Sequence, residues 1–376
     1  MIRVLSVIGT RPEAIKLAPV VLALRADARV EHVTCVTAQH RQMLDQVLAT
    51  FGLTPDHDLD LMRPNQDLDR VTAAVLDGVG RVINHAKPDW ILVQGDTTTA
   101  FAAALAAFYR KVKVAHVEAG LRTGNIYSPW PEEMNRKLVT QLTTMHFAPT
   151  PAAADNLRRE NVPEAQIRVT GNTVIDALRW IVARLDADPA FARTAEERFG
   201  FLDRGRRLLL VTGHRRESFE GGLERVCLAL KQLAERGDVE IVYPVHLNPK
   251  VQKIARGVLA QHPAVHLMEP LDYVPFVGLM RRAYLIVTDS GGIQEEAPGL
   301  GKPVLVTRDT TERPEAVTAG TARLVGTSTE ELVKQATALL DDPHAYRQMA
   351  QARNPFGDGK AALRILETLA GHTATG

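Results

Sequence analysis

The chain has 376 residues, 45% hydrophobic and 24% charged, values that are ordinary for folded proteins, predict two cores rather than one, and exclude a disordered or fibrous chain. Lysine plus arginine (45) balance aspartate plus glutamate (44), so a net charge of +1 offers no basic field for a polynucleotide or an anionic membrane. Cys35 and Cys227 sit in separate apolar stretches without zinc-type spacing, and no apolar run nears the ~20 residues of a bilayer span. The opening Arg3-Val4-Leu5-Ser6-Val7-Ile8 lacks the basic flank and long apolar run of a signal peptide. A reduced, cytoplasmic protein is expected, with no metal, nucleic-acid or membrane partner.

Short apolar, β-branched runs alternate with helix-period segments, the pattern of βα units and a mainly parallel sheet. Strands are predicted from Arg3 to Ile8, His32 to Thr37, Trp90 to Gln94, Val112 to Val117, Met145 to Ala148 and Ile167 to Val169. A second series runs from Leu208 to Thr212, Glu240 to Val245, Val265 to Met268, Tyr284 to Thr288, Pro303 to Thr307 and Ala322 to Val325. Each half reads as one doubly wound α/β sheet. A charged, Pro- and Gly-punctuated connection between about Thr170 and Arg207 separates them, and Pro355-Phe356-Gly357-Asp358-Gly359 breaks the chain before a last amphipathic helix. The predicted organisation is an N-terminal domain over 1–172, a C-terminal domain over 173–357, and a segment 358–376 packing back on the first.

Ligands of open parallel sheets bind beyond the carboxyl ends of the strands, and the residues there are polar. Gly9-Thr10-Arg11-Pro12-Glu13 with Lys16 makes either an anion site at a helix head or a capped helix carrying two solvated cations. Asp96 follows the third predicted strand, as a helix N-cap or a functional acid. Glu118 directly follows the fourth, where desolvation of a carboxyl calls for a partner or a task. Pro131-Glu132-Glu133-Met134-Asn135-Arg136 opens a helix with acids in its first turn, consistent with plain dipole compensation, and Glu132 and Arg136 are spaced for a surface ion pair.

In the second half, Gly213-His214-Arg215-Arg216 forms a cationic strand end. Asp289-Ser290-Gly291-Gly292-Ile293-Gln294-Glu295-Glu296 reads as a backbone nest for phosphate with an acid for ribose hydroxyls, or as an ordinary Gly-rich turn. Arg313 lies in the polar loop after the strand at Pro303 to Thr307. The layout suits a nucleotide diphosphate in a cleft between domains. No Gly-x-Gly-x-x-Gly follows a predicted strand, and a P-loop, a His-Glu-x-x-His pair and a Gly-x-Ser-x-Gly elbow are all missing, so nicotinamide, metalloprotease and serine-hydrolase chemistry lose their sequence support.

Six strings in register, at Gly9 to Glu13, Gln94 to Thr97, His116 to Arg122, Pro131 to Arg136, Thr212 to Glu217 and Asp289 to Pro298, resemble the bacterial non-hydrolysing UDP-N-acetylglucosamine 2-epimerases. The resemblance implies a GT-B fold, two Rossmann-like domains around a cleft, and a homodimer that interconverts UDP-GlcNAc and UDP-ManNAc without NAD or metal, in polysaccharide biosynthesis. By matching positions, substrate and UDP contacts fall on Arg11, Lys16, Asp96, Glu118, Arg136, His214, Ser290, Gly291, Gly292, Glu296 and Arg313, with Phe276 beside the uracil. Leu271 stands where some relatives carry glutamine, so a contact there would use its backbone. Gln39-His40-Arg41-Gln42 resembles part of an activator site for a second UDP-GlcNAc, with Gln39, His40 and Gln42 as candidates; Asn65 stands where some relatives have arginine, and Arg63 is nearby.

The implied chemistry is elimination of UDP to 2-acetamidoglucal and re-addition after protonation of the other face, with Asp96, Glu118 and Glu132 as the acid/base set and His214 stabilising the departing diphosphate. Domain closure is expected to retain the intermediate. Three alternatives stay open: a GT-B glycosyltransferase, a UDP-sugar sensor without turnover, and a hydrolysing epimerase, whose usual fused kinase domain is not read here. The acids of the first half weigh against the first two.

Overall fold

A computed structural model of the chain describes residues 1–37, 41–61, 66–213 and 221–372. Its contacts divide into two units, Met1–Ala177 with Phe356–Gly376, and Leu178–Pro355.

The first unit is built on seven parallel strands: β1 (Ile2–Ile8), β2 (Val30–Val36), β3 (His57–Asp58), β4 (Trp90–Gln94), β5 (Lys113–Val117), β6 (Met145–Ala148) and β7 (Ile167–Val169). Their order is β3-β2-β1-β4-β5-β6-β7, so the winding reverses between β1 and β4. All five residues of β4 are buried, because helices cover both faces, and this is why the strand reads as a continuous apolar run. Six of the seven strands are those the sequence predicts. β3 is the addition, a two-residue polar edge strand with no apolar run to announce it.

One core of this unit joins Leu5 and Val7 of β1, Ile91 and Val93 of β4, and the alanine-rich helix Thr98–Tyr109. That helix packs on the helix Leu68–Ala86, and its small side chains permit a close approach. The C-terminal helix Ala361–Gly371 rests on the helix Arg11–Ala26, and the Asp176 carboxylate accepts from Ala361 N at 3.2 Å and Ala362 N at 2.9 Å at its head.

The second unit holds six parallel strands: β8 (Arg207–Thr212), β9 (Val239–Pro244), β10 (Val265–Met268), β11 (Leu285–Thr288), β12 (Val304–Val306) and β13 (Ala322–Leu324). Their order is β10-β9-β8-β11-β12-β13, with the reversal between β8 and β11. Leu209, Val211, Cys227, Leu230, Ile241, Val287 and Leu305 lie in one buried cluster. Both cysteines are free and buried, and burial pushes each thiol up to about 12, so neither is a reactive thiolate. Among the described residues no helix is long and apolar enough to cross a membrane, and no group of three or more His, Cys, Asp or Glu could hold a metal ion.

Candidate active site

The reversal in each sheet marks where a ligand finds a crevice at the carboxyl ends of the strands. In the first unit the chain leaves β1 at Gly9 and β4 at Gly95, and the neighbouring β5 ends beside them at Glu118.

Glu118 is 7% exposed and has φ +64°, a left-handed conformation that is uncommon outside glycine and concentrates at functional positions. Lys16 Nζ donates to both of its carboxylate oxygens, at 2.6 and 2.7 Å. Asn172 Nδ2 adds a bond at 3.1 Å, and Gln94 Nε2 donates from the end of β4. The buried carboxyl therefore has the partners its desolvation demands, drawn from three separate segments. Lys16 is committed to this pair, which leaves Arg11, half-buried in the first turn, as the other cation of the helix head.

Asp96 is not the helix cap. Thr97 takes that position, its Oγ1 accepting from Ala100 N at 3.0 Å. The Asp96 carboxylate instead accepts from Arg136 on one oxygen, Oδ2, from Nε at 2.9 Å and from a terminal nitrogen at 2.7 Å. Among the described residues no group donates to Oδ1, so the acid is held at one oxygen and open at the other. Arg136 also reaches the fully buried Glu133 at 3.1 Å, whose carboxylate accepts from the Thr123 and Gly124 N–H groups. The surface pair between Glu132 and Arg136 does not form, because the guanidinium turns to Asp96 and Glu133. Glu132 is half-buried, with no hydrogen bond or ion pair to a described residue.

Sequence reasoning passed over three side chains here. Glu13 is 1% exposed and accepts from Gly9 N at 3.2 Å, Thr10 N at 2.6 Å and Thr97 Oγ1 at 2.8 Å. Burial pushes its carboxyl up to about 7 against those bonds. The capping-box spacing Thr10-x-x-Glu13 was the available signal. His116 places Nε2 2.7 Å from the Gly95 carbonyl, and Asn135 Nδ2 donates to the Asp96 carbonyl at 2.9 Å.

In the second unit, hydroxyls of Thr212 and Thr288 meet at 2.6 Å and join the ends of β8 and β11. Ser290 is the N-cap of the helix Gly291–Glu296, and its N–H donates to Thr288 Oγ1 at 2.9 Å. A Cβ at Gly291 or Gly292 would meet nothing closer than 3.8 Å, so packing does not demand glycine there. Arg313 lies 3.8 Å from a Cβ built at Gly291, and Ser290 Oγ 3.9 Å from one at Gly292, so the helix head, a hydroxyl and a guanidinium are neighbours. Arg313 pairs with Glu295, and Glu296 Oε2 accepts from the Tyr273 hydroxyl at 2.9 Å. That bond ties the acid to the helix Tyr273–Arg282, whose first turn carries half-buried Phe276 just after buried Leu271.

His214, Gln39, His40, Arg63 and Asn65 lie outside the described residues, as does the side chain of Gln42. A groove lined by Leu185, Phe199, Arg204, Arg206 and Arg281 opens at the amino end of β8, the end of the strand opposite Thr212. Its Arg206 and Arg281 are paired with Asp203 and Asp186.

A family model for UDP-N-acetylglucosamine 2-epimerase matches residues 22–370. The UDP-N-acetylglucosamine 2-epimerase of Yersinia pestis is 56% identical over 374 residues, 99% of this chain and 100% of that protein. The enzyme of that name from Escherichia coli strain K12 is 54% identical over 368 residues, 98% of each chain. The crystal structure of UDP-GlcNAc 2-epimerase from Neisseria meningitidis bound to UDP-GlcNAc matches with a TM-score of 0.90 at 49% identity, covering 98% of this chain and 100% of that one.

Proposed function

The chain belongs to the UDP-N-acetylglucosamine 2-epimerase family, and from that premise we propose that it interconverts UDP-GlcNAc and UDP-ManNAc by eliminating UDP and adding it back, without hydrolysis. It is an isomerase on two parallel-sheet α/β units of the GT-B type.

The proton on carbon 2 of the sugar has no adjacent carbonyl to acidify it, so direct abstraction is too costly. Departure of UDP from carbon 1 builds oxocarbenium character, which acidifies that proton. Its loss gives 2-acetamidoglucal, and protonation of the other face before UDP returns inverts the centre. Two faces need two proton-transfer groups, and general acid–base steps of this kind contribute ~10²- to 10⁴-fold each.

The observation that carries this reading is the pair of carboxylates at adjacent strand ends, each anchored by its own cation, Arg136 on Asp96 and Lys16 on Glu118. Asp96, fixed through Oδ2 and open at Oδ1, suits a group that must exchange a proton at a defined place. Glu118 and Glu132, the latter without a side-chain partner among the described residues, complete the proposed acid/base set. Diphosphate recognition is assigned to Arg11, His214, the Ser290 to Gly292 backbone and Arg313, ribose to Glu296, and uracil to Phe276 and the Leu271 backbone. Family membership extends the proposal to a cytoplasmic homodimer serving polysaccharide synthesis.

Incubation with UDP-GlcNAc in deuterated water, followed by proton NMR, tests the reaction. UDP-ManNAc carrying deuterium at carbon 2 is expected. Free ManNAc would make the enzyme a hydrolase, and an unchanged substrate would leave a transferase or a sensor.

A further inference from the structure

The turn Gly95-Asp96-Thr97 is tied down at more points than a strand-to-helix connection needs. Gly95 N donates to Val117 O at 3.0 Å, and the Thr97 carbonyl accepts from Phe101 N at 3.1 Å, which the fold alone provides. Three buried polar side chains from three different elements add the rest. His116, on β5 and 1% exposed, reaches the Gly95 carbonyl; Asn135, on the helix Glu132–Leu142 and 7% exposed, reaches the Asp96 carbonyl; Glu13, on the helix Arg11–Ala26, takes the Thr97 hydroxyl. A carbonyl only accepts, so His116 must carry its proton on Nε2. Burial lowers its basicity to about 4, which keeps the ring neutral and that tautomer in place. Among the described residues the other nitrogen, Nδ1, has no partner, so the bond to the turn is the ring's one hydrogen bond there.

Carbonyls in a connecting loop are ordinarily satisfied by water, and burying two polar side chains to reach such groups, with a buried carboxyl on the adjoining hydroxyl, is costly. What they secure is the position of one residue, Asp96. We propose that His116, Asn135 and Glu13 are positioning residues of the epimerase reaction, acting through Asp96 by fixing the backbone from which its carboxylate projects. The proposal rests on the epimerase reading given above.

The test uses the full chain and the variants His116→Leu, Asn135→Leu and His116→Gln, each checked for folding by circular dichroism. Steady-state kcat and KM for UDP-GlcNAc are measured beside UDP affinity by calorimetry. Misplacing a reacting group by about 1 Å costs on the order of 10²-fold, so the leucine variants should lose about 10- to 100-fold in kcat with UDP affinity within about two-fold of the parent. His116→Gln keeps an N–H able to reach the Gly95 carbonyl and should recover to within about three-fold. In an Asp96→Asn background, His116→Leu should cost less than about two-fold more, because its effect passes through that carboxylate.

A kcat within about two-fold of the parent per folded molecule, a fall in UDP affinity matching the fall in kcat, or full additivity with Asp96→Asn would each overturn the assignment. Should the leucine variants not fold, Asn135→Ser, too short to reach the Asp96 carbonyl, carries the same expectation and the same refutation. A parent enzyme that makes no UDP-ManNAc in this assay would instead overturn the epimerase reading, and the proposal with it.

Discussion

Replacing Glu13 by glutamine should change how stability depends on pH while preserving local geometry. The carboxyl is buried, and burial raises it from an ordinary 4.5 to about 7 although Thr10, Thr97 and Gly9 all favour its ionised form. Between those two values the folded protein holds a proton that the unfolded chain has released, so stability falls as pH rises through this window. The full penalty is present above about 7 and absent below 4.5. At 1.36 kcal/mol per pH unit, a rise from 4.5 to about 7 is worth about 3 kcal/mol. Glutamine carries no charge and escapes this penalty. Its carbonyl oxygen can take the Gly9 and Thr10 N–H groups, and its amide can donate to the Thr97 hydroxyl.

Wild-type stability alone would not reveal the effect, because other buried groups slope the opposite way. Burial lowers His116 to about 4 and His146 to about 3, and a base depressed in the fold stabilises above its ordinary value near 6.5 and loses that contribution as pH falls. Both histidines are present in parent and variant, so the difference between the two proteins cancels them. Urea unfolding followed by circular dichroism from pH 4.5 to 8 is the assay, and the advantage of Glu13→Gln should grow by about 3 kcal/mol over that range. A difference that stays flat within about 1 kcal/mol would show that Glu13 ionises as a solvated carboxyl, and the account of it as a buried, desolvated acid would be wrong.

Asp96→Asn and Glu118→Gln should each lower turnover by about 10²- to 10⁴-fold while UDP still binds in calorimetry, and a near-normal rate in either would remove that acid from the mechanism. Lys16→Met strips the cation from a buried carboxylate and should cost about 3 to 5 kcal/mol in urea unfolding; a loss below about 1 kcal/mol would show that the pair is not desolvated. Gly120→Ala drives a Cβ into the Ala153 carbonyl oxygen at a position with φ +91°, so a large fall in Tm or loss of soluble protein is expected, and an unchanged melting curve would contradict both the left-handed conformation and the close approach at Gly120.

Much of the fold was legible because its strands are buried on both faces, which leaves apolar runs such as Trp90 to Gln94 that no surface segment would carry. β3 was not, since a polar edge strand of two residues makes no pattern. The acids Asp96 and Glu118 stood out for the same reason in reverse, as charges set against the ends of apolar runs. Their partners did not. Asp96-Thr97-Thr98 contains three residues able to cap a helix, and sequence cannot say that Thr97 takes the cap while Asp96 turns to Arg136, 40 positions away. His116 lies inside an apolar strand, where a histidine ordinarily reads as core.

What joins these residues is sheet order. β4 lies between β1 and β5, so the helix entered from β1 can deliver Lys16 across 102 positions to Glu118, and Gln94 at the end of β4 completes the same carboxylate. With β1 and β4 separated in the sheet, Glu13 could not accept from both Thr10 and Thr97, and Lys16 would face a different strand end. The catalytic proposal and the buried bonds of Glu13 beneath it therefore depend on one topological fact, the reversal of winding between β1 and β4, which periodicity along the chain does not encode.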